Sequence, residues 1–79
     1  MLIEVKSSSR NPPAVIVSRN EWDKAEEAKD NYLFHVWDVR ADKLHEWTFE
    51  MIRGHIPVDN GNGTWTNVAI PIRAIKSAV

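Results

Sequence analysis

Val15-Ile16-Val17-Ser18-Arg19-Asn20-Glu21-Trp22 reads as a β-branched run that enters a helix through a capping box. Ser18 stands three residues before Glu21, so its hydroxyl can accept from the Glu21 amide while the Glu21 carboxylate reaches back to the Ser18 amide. Val17 before the cap and Trp22 at the fourth helical position suit a hydrophobic staple, which sets the angle between strand and helix. Trp22, Ala25 and Ala28 share one helical face, with Asp23, Lys24, Glu26, Glu27 and Lys29 largely around the other. The helix is expected to stop near Asp30 and Asn31.

Upstream of this unit, Leu2, Ile3 and Val5 alternate or cluster with Glu4 and Lys6 as a strand, and Ser7 to Pro13 is a polar loop closed by two prolines. Ala14 to Val17 is expected to be a short buried strand. Downstream, Tyr32 to Arg40 and Lys43 to Phe49 read as a β-hairpin about Ala41-Asp42. Its register stays open, because that dipeptide is a weak turn former and a slip of one residue would exchange His35 and Trp37 with Phe34 and Val36. Glu50 to Gly54 fits one helical turn capped by Gly54, and Asn60-Gly61-Asn62-Gly63 a hairpin turn. Trp65 to Ile72 would be the returning strand, with Pro71 confining its end to an edge or bulge.

The fold class expected is α+β, a small mixed β-sheet with one main α-helix, equivalent to part of a larger core plus a C-terminal hairpin. Seventy-nine residues leave room for a single domain, residues 1–79, divided into a core segment 1–40 and a C-terminal β extension 41–79. A chain of this size buries only about 60% of its unfolded surface, so its four Trp, two Phe and one Tyr carry an unusual share of the core. Zero cysteines exclude disulfide scaffolds, thiol nucleophiles and Cys-ligated zinc. Ten Lys+Arg against eleven Asp+Glu give a net charge of -1, so no global basic field draws nucleic acid and any such partner requires a local site. No apolar run approaches the roughly 18 residues of a membrane span, and the expected compartment is the cytoplasm.

Glu4-Val5-Lys6 is the sharpest chemical constellation. Strand periodicity puts Glu4 and Lys6 on one face while Val5 packs into the other. A carboxylate and an ammonium held side by side on rigid backbone suit metal-assisted phosphodiester hydrolysis, the carboxylate holding Mg²⁺ and the lysine orienting water and offsetting developing charge. Isolated Glu-x-Lys triplets are common on solvated strand faces.

Ile3-Glu4-Val5-Lys6-Ser7-Ser8-Ser9, the proline-bearing loop, the run Val15 to Trp22 and Tyr32-Leu33-Phe34-His35-Val36 together resemble a domain found at the C-terminus of the plant protein NO VEIN and in many bacterial proteins linked to restriction and DNA defence. That family resembles a branch of the restriction-endonuclease-like PD-(D/E)xK superfamily. The resemblance covers roughly residues 2 to 40 and implies a nuclease-like domain or fragment for nucleic-acid processing. It implies Glu4 and Lys6 as catalytic residues, Glu4 and the Val5 carbonyl as ligands of a Mg²⁺ cofactor, and residues 19 to 30 and 32 to 39 as the second core helix and next core strand. Glu4 lies three residues from the start of the sequence, which leaves no place for the preceding helix, strand and metal-binding Asp. The expectation is therefore a chain incomplete for catalysis alone, unless Glu21 moves in as the second acid; the capping box is the plainer role for Glu21.

Ser7, Arg10 and Arg19 flank the triplet and are the candidate nucleic-acid contacts, with DNA or RNA as partner. Ser-Lys chemistry at Ser7 to Ser9 lacks nameable oxyanion donors. His35, His45 and His55 come from different elements without metal spacing. Trp22, Trp37, Trp47 and Trp65 could stack on bases if exposed, but core burial is the simpler assignment. The alternative function is a non-catalytic interaction module, in which the N-terminal strand offers its backbone to a partner and forms a homo-oligomer.

Overall fold

The computed structural model describes residues 1–59, 61 and 63–75. In chain order its elements are β1 (Leu2–Ser8), β2 (Ala14–Ser18), α1 (Arg19–Ala28), a 3₁₀ turn (Lys29–Asn31), β3 (Tyr32–Asp38), β4 (Lys43–Thr48), α2 (Phe49–Arg53), β5 (Asn67–Pro71) and a final 3₁₀ turn (Ile72–Ala74). They form the small mixed α/β architecture with one main helix that the sequence implies.

β1 and β3 run parallel, in register from Leu2 beside Tyr32 to Ser8 beside Asp38. Parallel neighbours need a crossover of a dozen or more residues, and β2 with α1 provides it. β4 returns antiparallel along β3, giving the three-stranded order β1-β3-β4. β2 instead pairs antiparallel with β5 in a separate two-stranded sheet. The strand after the Asn-Gly cluster therefore returns to β2 rather than to the element before it. Part of that cluster, Asn60 and Asn62, lies outside the described residues, while Gly61 has the positive φ of 88° that such turns demand.

The hairpin register is settled at its loop. Asp38 accepts from the Ala41 amide at 3.3 Å, and Asp42 adopts φ 53°, a left-handed conformation that aspartate tolerates. Phe34 and Val36 consequently point into the core, with His35 and Trp37 on the other face only half-buried. Gly54 caps α2 with φ -69°, so its position requires no glycine conformation.

The core lies between the inner face of the larger sheet, α1, α2 and the β2-β5 pair. Phe34, Val36 and Trp47 from the sheet meet Val15 and Val17 from β2, Trp22 and Ala25 from α1, and Ile52 from α2. Both members of the expected staple, Val17 and Trp22, belong to it. Trp22 stacks on Phe49 with ring centroids 4.8 Å apart and planes 6° from parallel, joining the two helices. In β2 only Val15 and Val17 are buried; Ile16 faces outward, so this strand is half-buried rather than enclosed on both sides.

The largest departure from expectation is in β1. The strand extends through Ser8, two residues past the expected last strand residue Lys6, and its inward positions are Glu4, Lys6 and Ser8. Val5, expected to pack, is 70% exposed. β1 is an edge strand whose inner face is met by the first turn of α1, where Glu21 sits, so the charged parity finds its partner inside.

Phe34 is fully buried at the centre of this core. Phe34→Ala is expected to lose about 3–5 kcal/mol, a large part of the about 5–10 kcal/mol available to a small domain. Urea denaturation followed by tryptophan fluorescence should show a collapsed transition midpoint.

Candidate functional site

The site grows from the start of α1. The Ser18 hydroxyl accepts from the Glu21 amide at 3.1 Å, and Glu21 Oε1 accepts from the Ser18 amide at 2.8 Å, completing the capping box. This fixes the carboxylate with its second oxygen turned toward β1. Lys6 Nζ donates to Glu21 Oε2 at 2.6 Å, and the two side chains are only 20% and 21% exposed. Glu4, one inward position before Lys6, shares a hydrogen bond with Glu21 when protonated. The capping role of Glu21 is thus observed, and the same carboxylate is ion-paired with Lys6.

Two carboxylates lie near one lysine here, which is ion-paired with Glu21, and their proton affinities separate. Glu4 is raised above the ordinary carboxyl value, first by its hydrogen bond to Glu21, then by burial and the Glu21 charge, against the pull of Lys6 and Lys24. Burial also acts to raise Glu21, but hydrogen bonds from Glu4, Lys6 and the Ser18 amide outweigh it and hold the group down at about 2. Divergent paired carboxyls of this kind occur at acid–base sites and at structural ion-pair networks alike. The Tyr32 hydroxyl belongs to the same neighbourhood, because its proton affinity is raised by burial and by the charges of Glu4 and Glu21. In the strand ladder, Glu4 lies beside Phe34 and Lys6 beside Val36, so the cluster borders apolar core on one side.

The remaining sequence candidates do not converge on it. Ser7 is exposed on the opposite face of β1, beside Trp37 in register. Val5 likewise turns its side chain to that face, leaving only its carbonyl, in the plane of the sheet, as an oxygen donor. Arg19 pairs with Asp59 at 2.9 Å and Asp23 at 3.3 Å, and its guanidinium sits 5.1 Å from the centre of the Trp65 ring. Arg10 projects past the end of β1, where it borders a cleft of about 210 Å³ with Arg40, Arg73 and Asp38. Among the described residues none of those three arginines is in an ion pair. His35 pairs with Glu46 at 3.3 Å on the outer face, and no group of three acidic or histidine side chains gathers among the described residues.

A family model described as "Protein NO VEIN, C-terminal" matches residues 1–49, more than half of the chain. The chain belongs to the NO VEIN C-terminal family. The matched span contains Glu4, Lys6, Ser18, Glu21 and Tyr32, hence every residue of the acidic cluster, and ends before β5 and Arg73. Comparison with curated proteins and with solved structures gives no match.

Sequence reading alone did not reach Tyr32, Lys24, Arg40 or Arg73 as members of a site. Each arrives from a separate element through tertiary contact, without a local motif to mark it.

The depressed Glu21 carboxyl contributes stability that is complete above the ordinary value of 4.5 and lost as pH falls from there toward about 2. Glu4, shifted upward, acts in the opposite sense and offsets part of that loss. Glu21→Gln is expected to lower stability at neutral pH and to flatten its decline below pH 4.5, read from urea midpoints at successive pH values.

Proposed function

We propose that this NO VEIN C-terminal domain acts in nucleic-acid processing as a nuclease-like module, with Glu4, Glu21 and Lys6 forming a site for metal-assisted phosphodiester hydrolysis. The observation that carries this reading is the Lys6–Glu21 contact at 2.6 Å beside Glu4. It gives the Glu-x-Lys strand a second acid, from the first turn of α1.

The donor set fits a hard divalent cation such as Mg²⁺. Two carboxylates against one lysine leave a negative charge uncompensated when both are ionised. Each Glu21 oxygen, although already accepting one hydrogen bond, keeps another lone-pair direction. Glu4 and Glu21 would hold the ion, with the Val5 carbonyl, waters and substrate phosphate oxygens as further hard donors. When bound, such an ion supplies Lewis-acid polarisation of the phosphate and activation of water.

The protein's own groups do the rest. Lys6, steadied by Glu21, orients the attacking water and offsets charge building on the phosphate oxygens. Arg10, with Arg40 and Arg73, offers cations to the phosphate backbone of DNA or RNA beyond the end of β1. Ser7 and Arg19 have no part in this reading, being on the far face and already ion-paired respectively.

The test is incubation of the purified chain with single- and double-stranded DNA and with RNA in Mg²⁺ or Mn²⁺. Metal-dependent cleavage is expected, reduced about 10²–10⁴-fold in Lys6→Met and Glu4→Gln. Absence of cleavage on every substrate with either metal, or undiminished cleavage by Lys6→Met, overturns the catalytic reading. Binding in EDTA tests the arginine cleft separately. Arg10→Ala and Arg73→Ala should each reduce the dependence of log affinity on log salt by about one unit.

A further inference from the structure

β1 is hydrogen-bonded on one side only. It forms the edge of the three-stranded sheet, and among the described residues no backbone hydrogen bond outside its ladder with β3 reaches residues 2–7. The same strand carries a concentration of exposed apolar surface, with Leu2, Ile3 and Val5 exposed by 56%, 51% and 70%. Open edges are ordinarily defended by charges that any incoming strand would have to bury. Glu4 and Lys6 stand at that position here, and the question is which incoming strand would satisfy them.

The sequence of β1 answers it. Laid antiparallel to a copy of itself about Val5, the strand places Leu2 opposite Ser8, Ile3 opposite Ser7, Glu4 opposite Lys6, and Val5 opposite Val5. Both carboxylates then face ammonium groups across the junction, while the two valines form an apolar cross-strand pair on the outer face. A shift of two residues is the smallest that keeps each face on its own side. Shifted one way it sets Glu4 against Glu4, and the other way Lys6 against Lys6. Directly opposed like charges destabilise a strand pair, so the charge pattern singles out one register.

We propose that two copies of this chain associate by antiparallel pairing of β1 with β1, centred on Val5, to join their sheets into one continuous sheet. The partner is a second copy because the pattern is complementary to its own reverse. Within one chain Lys6 serves Glu21 at 2.6 Å, which leaves Glu4 as the carboxylate in want of a second cation, and the partner's lysine arrives beside it. The contact is isologous and closes on itself, giving a dimer rather than a fibre. It draws on Glu4 and Lys6, the residues of the proposed catalytic cluster, but its test reads association and crosslinking rather than cleavage, so the two readings fail separately.

The chain has no cysteine, so a single introduced thiol reports the register. Val5→Cys is expected to form a disulfide dimer on mild oxidation, since directly opposed residues in an antiparallel pair have Cα atoms about 4.5–5.5 Å apart, inside the span of a disulfide. Ile3→Cys is expected to remain largely uncrosslinked, its own copy lying roughly 13 Å away along the strand. Both positions are exposed, so neither change threatens the fold. Light scattering of the unmodified chain across a concentration series should show a monomer–dimer equilibrium, weakened at least tenfold by Glu4→Lys and restored by the double exchange E4K/K6E. A strict monomer at millimolar concentration, or equal crosslinking of Val5→Cys and Ile3→Cys, overturns the proposal. If the double exchange fails to fold by circular dichroism, the two cysteine variants decide the register alone.

Discussion

The contact between Lys6 on β1 and Glu21 on α1 is the constraint around which the first half of the molecule is arranged. Glu21 is immobilised before it meets the lysine, because the capping box with Ser18 occupies one of its oxygens and aims the other. A helix start is thereby tied to a strand fifteen residues earlier in the chain. The energetic gain from such a partly buried pair is modest, since desolvation of both ions opposes their attraction. Its geometric counterpart is the parity of β1: Glu4 and Lys6 turn inward toward α1, and Ile3 and Val5 are left outside.

Glu4 and Lys6 occupy the inward parity, at the rim of the core, while Ile3 and Val5 face solvent. This inversion of ordinary patterning is tolerable at an edge. The core draws its apolar volume from Phe34, Val36 and Trp47 on the neighbouring strands and from Val17, Trp22 and Ile52 on the elements packed over them. The same inversion gathers two carboxylates and an amine beside low-dielectric surroundings, where their proton affinities separate. Local chemistry of that sort and the exposed apolar edge have one origin, the choice of parity in a seven-residue strand.

Family membership and geometry bear on different links of the functional argument. The family match spans the acidic cluster, the crossover helix and β3, so these belong together as a unit. The chemical reading of that unit rests on the side chains themselves, because a fold supports many activities and the site decides among them. The arginine cleft beyond the end of β1 includes Arg73, which lies after the matched span.

Features confined to a few neighbouring residues were legible from the sequence. The Ser18–Glu21 cap, the helix after it, the paired strands around residue 41 and the single-domain mixed architecture all follow from local propensity, periodicity and turn chemistry. The common face of Glu4 and Lys6 follows equally from the twofold repeat of a strand. Which face points inward did not, because alternation defines two faces without naming the buried one, and apolar patterning alone favours Val5. Tertiary structure decided that by bringing Glu21 over β1. It likewise paired β5 with β2, set Tyr32 near the carboxylates, and collected Arg10, Arg40 and Arg73 from distant segments. Each is a contact between residues far apart in the chain, whose closure depends on the packing of the whole core rather than on any motif at either end.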